Sequence, residues 1–239
     1  MSQPFYGRIL LKLSGEILAG EKGFGVDPSK AKALAQQVVS AREMGVQVGV
    51  VIGGGNIIRG EMAEIQGMDR VSADYLGMLA TIMNAITLQD ALEKEGCETR
   101  TLTAIGIAQL AEPYIRRRAI RHLERDRVII IAGGTGNPYF STDTAAALRA
   151  TEIEADVVLK GTKVDGVYDG DPEKDDQAEK YEQLSFQKVI EDGLRVMDLT
   201  AVTLCKENNL PIIVFNVNQT DNLMNILKGK KIGTLVTGS

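Results

Sequence analysis

The sequence predicts an α/β protein, a three-layer α/β/α sandwich around a mostly parallel central sheet. Three observations carry this. Apolar β-branched runs such as Val50-Val51-Ile52 and Val128-Ile129-Ile130-Ile131 read as strands buried on both faces. Helical patterns alternate with such runs throughout, which favours parallel pairing with helices on both sides of the sheet. Two of the strands end directly in glycine turns, Gly53-Gly54-Gly55 and Gly133-Gly134-Thr135-Gly136.

The elements follow in order. Gly7 to Leu13 is a first strand running into Ser14-Gly15, with Lys12 near its carboxyl end. Ligands gather at the carboxyl ends of strands in open α/β sheets, so Lys12 is either a phosphate ligand or a snorkelling edge residue. A glycine-spaced loop follows, containing Gly20, Glu21, Lys22, Gly23, Phe24 and Gly25. Asp27 and Pro28 then supply an N-cap and a first helical residue for a helix over 29–44, which stops at Gly45. Residues 46–52 form the second strand, ending in the triple glycine.

The long helical pattern over 69–95 is expected to break into two helices. Its Met- and Leu-rich face reads as core or subunit interface, and Asp74 near its start faces no obvious cation. Residues 99–104 form a third strand. Arg116, Arg117, Arg118, Arg121, Arg125 and Arg127 then cluster around a helix with His122. The expectation is a solvated face paired with Glu112, Glu124 and Asp126, the alternative a regulatory anion site at a subunit junction. A strand over 127–132 reaches the second glycine turn, and Ser141-Thr142-Asp143 leads a helix over 144–154, where each of the three has capping chemistry. A strand over 156–160 ends in Lys160. Residues 163–180 read as a hairpin with an exposed loop. Helices near 185–192 and 198–208, a strand over 211–217, a helix over 221–228 and a short strand near 234–236 close the chain.

The totals bound the function. At 239 residues the chain can form one large α/β domain or two joined lobes. A net charge of −5 argues against general nucleic-acid binding. Cys97 and Cys205 lie far apart without a CxxC, so they read as reduced structural thiols. No uninterrupted apolar run reaches the ~18 residues of a membrane span, and Lys12 spoils the only apolar stretch that could begin a signal peptide. The expectation is a cytoplasmic protein. With one histidine, His122, histidine-based catalysis and His-rich metal sites are not expected.

The glycine turns carry the chemistry. Three consecutive glycines serve no packing purpose on this reading and expose backbone N–H groups to an anion. There is no G-x-x-x-x-G-K-[ST] and neither turn supplies G-x-G-x-x-G, which excludes a Walker loop and leaves a Rossmann site unsupported. The acidic stretch 165–176 has the wrong residues for an EF-hand. Phosphoryl transfer on another scaffold remains, a reaction that needs mainly positioning and charge neutralisation. Lys12, Lys160 and Arg59 stand at or just past strand ends and could converge on it. Asp143 could orient the lysines or a Mg²⁺ between them. An acceptor that is itself a phosphate is already ionised at neutral pH and needs no general base.

These residues also resemble a known family. Lys12-Leu13-Ser14-Gly15, Gly53-Gly54-Gly55-Asn56 with Arg59-Gly60, Gly134-Thr135-Gly136-Asn137-Pro138 with Ser141-Thr142-Asp143, and Lys163-Val164-Asp165-Gly166-Val167-Tyr168 with Asp171-Pro172 stand in the order seen in bacterial UMP kinases of the amino acid kinase superfamily. The match spans essentially the whole chain and includes Arg195-Val196-Met197-Asp198 and Gly233-Thr234. It implies an amino acid kinase-like fold in one domain over 1–239, with the acceptor site mainly in its N-terminal part and the ATP site mainly in its C-terminal part.

The resemblance implies site roles as well. Lys12, Leu13, Ser14, Gly15, Gly55 and Arg59 would hold ATP phosphates, and Thr162, Tyr168 and Asp171 the adenosine. Gly54, Asp74, Thr135, Gly136, Asn137, Pro138, Tyr139, Phe140, Ser141 and Thr142 would bind UMP. Lys12, Asp143, Lys160 and Arg59 would act in catalysis around MgATP, the ion carried by the nucleotide. It further implies a homohexamer activated by GTP through residues 20–25 and inhibited by UTP. Tyr139 and Ser141 replace the family's usual Phe and Thr but keep the ring and the hydroxyl. Two other readings stay open, a superfamily kinase acting on a carboxylate or carbamate and a non-catalytic nucleotide sensor.

Overall fold

The computed structural model describes residues 3–58, 67–170 and 177–238. Arg59, Gly60, Asp171 and Pro172, named above, lie outside the described residues. The main sheet has nine strands: β1 (Arg8–Leu13), β2 (Gln47–Ile52), β3 (Thr99–Thr103), β4 (Glu112–Pro113), β5 (Val128–Ala132), β6 (Val157–Thr162), β9 (Gln183–Ser185), β10 (Ile212–Asn216) and β11 (Thr234–Thr237). Their spatial order is β4-β3-β5-β2-β1-β6-β10-β11-β9. Every neighbouring pair is parallel except β10 with β11. β7 (Val167–Tyr168) and β8 (Lys180–Tyr181) form a separate antiparallel ribbon.

The expected helices cover both faces. α1 (Pro28–Glu43), α2 (Arg70–Lys94) and α7 (Asn222–Leu227) pack one side through Leu34, Leu88 and Leu223, against Ile9, Leu11 and Val50. α3 (Arg116–Glu124), α4 (Thr142–Glu152), α5 (Phe186–Glu191) and α6 (Leu199–Glu207) pack the other through Leu123, Ala147, Phe186 and Val202, against Leu10, Val51 and Val158. The two cores thus alternate residue by residue along β1 and β6, as the pleat requires. This three-layer arrangement is the one expected.

Several local expectations change. α2 is one helix of 25 residues, capped by Asp69 Oδ2 on the Ser72 amide, with no break inside it. Its length and mean hydropathy of 1.3 would suit a membrane span, although no single run in it is uninterrupted. Its buried residues, Ile82, Ala85, Leu88 and Leu92 among them, sit in the core on the sheet. α4 begins two residues earlier than expected because Ser141 Oγ accepts from the amides of Asp143 and Thr144 and is the cap. Edge strands β4 and β9 were not expected, being too short for any period to show. Pro113 lies on β4 at the rim, where a missing ladder donor is tolerated. Helices α3, α4 and α6 are followed by Asp126, Glu154 and Asn209 in the left-handed region, so they stop without a glycine.

Arg116, Arg118 and Arg127 of the arginine cluster form ion pairs. Glu112 takes Arg118 and His122, as expected, whereas Asp126 pairs with Arg42 on α1. Arg116 pairs with Glu154 and Arg127 with Glu98. Both cysteines are free and buried, and burial pushes the Cys205 thiol up to about 12.

Candidate active site

Lys12 and Lys160 are neighbours by register. β1 pairs with β6 so that Lys12 stands directly beside Lys160. On both strands the preceding even-numbered residue, Leu10 or Val158, belongs to the core beneath α4. The pleat therefore sends both lysines to the α4 side, at the carboxyl end of the sheet. Asp143, in the first turn of α4, meets them there. Lys12 Nζ contacts Asp143 Oδ1, and Lys160 Nζ donates to Asp143 Oδ2 at 3.1 Å. Lys160 also donates to the Val196 carbonyl at 2.5 Å.

The three side chains are mostly buried, with side-chain exposures of 11%, 16% and 16% for Lys12, Asp143 and Lys160. Burial pushes the Asp143 carboxyl up, but the Lys12 and Lys160 ammonium groups outweigh it and hold the group below the usual carboxylate range. Burial pulls Lys160 below the usual lysine value, against the attraction of Asp143. The two ammonium groups face Asp143, with Asp198 acting on Lys160 from further off, in a partly dry recess that can take a multiply charged phosphate.

The first glycine turn lies beside this cluster. The Gly53 amide donates to Leu13 O at 2.9 Å, tying the ends of β2 and β1 together. The claim that these glycines serve no packing purpose needs correction. A Cβ on Gly54 would stand 2.7 Å from Ala80 Cβ and 2.9 Å from Gly77 O on α2. One on Gly15 would stand 2.4 Å from both Gly53 O and Asn56 Oδ1. Only Gly55 faces open space, with nothing within 4 Å of its Cβ position. The second turn uses glycine for a different reason: Gly133, Gly134 and Gly136 take φ of 75°, 59° and 85°, the left-handed region.

The residues expected to take the acceptor lie around that second turn. Thr135, Asn137 and Phe140 line an open cavity of about 640 Å³, completed by Thr144, Leu148 and the α6 residues Leu199, Thr200 and Thr203. Tyr139 has φ of 73° and its amide donates to Asp74 Oδ2 at 2.7 Å. Pro138 lies between, in the same turn. Asp74 does have a cation after all: Arg70 Nε, one helical turn earlier, sits 3.0 Å from its Oδ2. That i, i+4 pair was visible in the sequence. Thr142 reaches back to the first turn, its Oγ1 3.7 Å from where a Gly53 Cβ would stand.

The residues expected on the donor side divide. Leu13 is buried at the end of β1, and Ser14 caps the short 3-10 turn Gly15–Leu18 by accepting from Glu16 N. Ser14 and Thr162 share a cavity of about 440 Å³ with Gly161, Lys163, Gln37 and Asn218. Tyr168 is not among its lining residues; its hydroxyl donates to Asp165 Oδ1 at 2.5 Å on the β7–β8 ribbon. Gly20, Glu21 and Gly23 line that same cavity on its α1 side, while Phe24 is exposed. Lys22 ends the short turn Gly20–Lys22. Gly25 is tied to the first glycine turn: its amide donates to Asn56 O at 2.8 Å and its carbonyl accepts from Asn56 Nδ2 at 2.7 Å.

Two contributors were missed. Asp198 caps α6 through the Ala201 amide and also accepts from Ser141 Oγ and Thr144 Oγ1, so it binds the start of α4 to the start of α6. An Asp before an apolar helical run is a cap signal, but nothing in sequence shows that it caps two helices. Asn84 is fully buried on α2 and touches the first glycine turn. A lone Asn within an apolar helical stripe was the available clue. Among the described residues no three His, Cys, Asp or Glu side chains gather as a metal cage. A Mg²⁺ held here would rest on a single carboxylate, Asp143, and on nucleotide phosphates, an arrangement usual for this ion.

Comparison with known proteins agrees with the motif order. The profile of the Amino acid kinase family matches residues 7–216. A UMP kinase from Bacillus anthracis superposes with a TM-score of 0.95 at 38% identity, over 98% of this chain and 97% of that one. A UMP kinase from Ureaplasma parvum gives 0.91 at 38% identity, over 96% and 98%. A uridylate kinase from Archaeoglobus fulgidus gives 0.74 at 31% identity, over 96% and 99%. With its parallel sheet, paired strand-end lysines and family profile over most of its length, the chain belongs to the amino acid kinase family.

Proposed function

We propose that the chain is a UMP kinase, transferring the γ-phosphoryl group of MgATP to UMP to give UDP and ADP. The observation that carries this is the Lys12–Asp143–Lys160 cluster at the carboxyl ends of β1 and β6, next in strand order to the glycine turns that end β2 and β5, the second turn leading into the Thr135–Thr142 block. The similarity to three UMP or uridylate kinases over nearly their whole length supports it.

The chemistry asks little covalent work of the protein. An oxygen of the UMP phosphate attacks the γ-phosphorus, the bond from that phosphorus to the β,γ-bridging oxygen breaks, and ADP carries off the bond's electron pair. The UMP oxygen is already ionised, so no base takes a proton. Lys12 and Lys160 offset the repulsion between the two phosphate groups and the charge spread over the transferring one. Asp143 keeps the two ammonium groups together and can hold Mg²⁺ brought in on ATP. Ser14, Gly15 and Gly55 would cradle donor phosphates, with Arg59 beside them, and Thr162, Tyr168 and Asp171 the adenosine. Gly54, Asp74 and the stretch 135–142 would take UMP, with Asp74 suited to sugar hydroxyls because these are donors. The acceptor side then lies mainly in the N-terminal part and the donor side mainly in the C-terminal part.

The finer expectations go with this reading: a cytoplasmic enzyme of pyrimidine nucleotide biosynthesis, a homohexamer, activated by GTP through residues 20–25 and inhibited by UTP. The two hydrogen bonds between Gly25 and Asn56 support a route from that loop to the first glycine turn. A coupled ADP-release assay over UMP, CMP, AMP and acetylglutamate, with and without GTP, tests the proposal. UMP should be the preferred acceptor by a wide margin. Equal or faster turnover of another acceptor would overturn it.

A further inference from the structure

Both glycine turns are held by the same helix. On α2, Thr81 Oγ1 accepts from the Gly133 amide at 2.9 Å and donates to Met78 O at 2.6 Å. One turn further along, Asn84 Nδ2 donates to Gly53 O at 2.7 Å and to Asn56 Oδ1 at 2.7 Å, while Asn84 Oδ1 accepts from Asn56 Nδ2 at 3.1 Å. Thr81 is 5% exposed, and Asn84 and Asn56 are both 0% exposed. Gly54 lies against the backbone of Gly77 and Thr81 too closely to admit a Cβ.

We propose that Thr81 and Asn84 are positioning residues that use α2 as a rigid spacer, fixing the acceptor turn at Gly133 against the turn at Gly53–Asn56 that both substrates share. Residues at i and i+3 share a helix face, so one rigid rod carries both hydrogen-bonding groups. Neither belongs there on packing grounds, since Val or Leu would fill an apolar helix face without needing partners. Each instead satisfies a backbone group of a different turn, and removing one leaves that group buried and unpaired. Because Gly133 begins the left-handed turn ahead of Thr135, its amide sets where the acceptor block starts. Because Asn84 closes a reciprocal amide pair with Asn56, it fixes the turn that contains Gly54 and Gly55. In-line phosphoryl transfer depends on the separation of the two substrates, and small misplacements are costly.

This inference rests on the UMP kinase reading for its kinetic arm but not for its structural one. Amide hydrogen exchange is measured on ligand-free wild type, Thr81→Val and Thr81→Ser, and steady-state kinetics on the same three. Thr81→Val is isosteric and loses only the hydroxyl, so exchange at Gly133 should accelerate. The KM for UMP should rise about fivefold, the factor that one lost hydrogen bond represents, with the KM for ATP unchanged. Thr81→Ser should restore both. Asn84→Ala should raise both KM values together, because its turn serves both substrates. If it fails to fold, the Thr81 trio decides alone. Unchanged Gly133 exchange in Thr81→Val would overturn the proposal, as would an equal rise of both KM values there. A wild-type protein that does not phosphorylate UMP would sink the functional reading and leave the exchange result to decide whether α2 braces the turn.

Discussion

Lys12 on β1 and Lys160 on β6 stand side by side in parallel register, and Asp143 lies against both. The cluster carries two positive charges and one negative, which makes its members unequal in what their loss does. Lys12→Met leaves one lysine opposite one carboxylate, so folding should be almost unaffected. The turnover number should fall about 10²–10³-fold, the scale of removing one preorganised electrostatic group. Asp143→Asn leaves two buried ammonium groups facing each other, so it should lose activity and also melt lower. Inorganic phosphate or ADP should recover part of that melting temperature by supplying the missing negative charge. Since Ser141 is the cap of α4, loss of a cap cannot account for it. Unchanged turnover in Lys12→Met would refute its role.

The same cluster fixes the sign of the pH dependence. The Asp143 pKa is held below the usual carboxylate range, so its contribution to stability should be full above that range, decline as pH falls through it and be gone below its own lower value, while the charged form that activity needs persists down to that lower value. Lys160 is pulled the other way by burial, below the ordinary lysine value. Turnover should therefore decline on the alkaline side before a surface lysine would titrate. A kcat–pH profile, repeated on Lys160→Arg, checks this: the variant's alkaline limb should move upward or vanish, because a guanidinium does not deprotonate in that range.

The layers, the glycine turns at strand ends and the Lys12–Asp143–Lys160 set were legible because they rest on local signals. Strand patterns, glycine runs and lysines at strand ends are written in consecutive residues. What was not legible depends on pairs far apart in the chain. Asp198 holds Ser141 and Thr144 from 57 and 54 residues away. Thr81 reaches Gly133 across 52 residues and Asn84 reaches Gly53 across 31. Such pairings follow from which helix covers which strand, and no period or motif encodes that. Glycine was misread for a related reason: the neighbours that forbid a Cβ at Gly15 and Gly54 come from other elements.

Gly15 and Gly55 should respond in opposite ways to the same methyl group. In Gly15→Ala the Cβ meets the Gly53 carbonyl and the Asn56 side chain at 2.4 Å, and backbone cannot step aside cheaply. A loss of about 1–3 kcal/mol is expected, as for overpacking elsewhere in a close-packed interior. In Gly55→Ala nothing lies within 4 Å, so the melting temperature should hold. The methyl would instead occupy the space above the turn, and nucleotide KM should rise. Urea denaturation and kinetics on the two variants separate these effects. A destabilised Gly55→Ala with normal KM would show that the open space is not a ligand's.

Tyr75, Leu79, Met83 and Ile86 are 44%, 42%, 57% and 36% exposed and fall on one stripe of α2. An apolar stripe of this kind on the surface of one chain fits the homo-oligomer proposed above, with a second copy covering it. Met83→Glu should lower the molecular mass measured by sedimentation, while far-UV circular dichroism stays unchanged. An unaltered assembly mass would move the interface elsewhere.

Asp198 should be costly to truncate, because one carboxylate serves three donors from two helices. Asp198→Ala removes the α6 cap at the Ala201 amide, normally about 0.5–2 kcal/mol. It also leaves the Ser141 and Thr144 hydroxyls without the acceptor that joins α4 to α6. Asp143 sits two residues from Ser141, so a loosened start of α4 moves the carboxylate that holds the lysines together. Turnover should fall along with stability. Asp198→Asn keeps one carbonyl oxygen for the Ala201 amide and should recover most of the stability. It can accept from only one side of the junction with full strength, so activity should recover less than the melting point does. Parallel recovery of both would mean that Asp198 acts only as a helix cap. A gap between them, read from chemical denaturation and kcat on the same preparations, would place it in the support of Asp143.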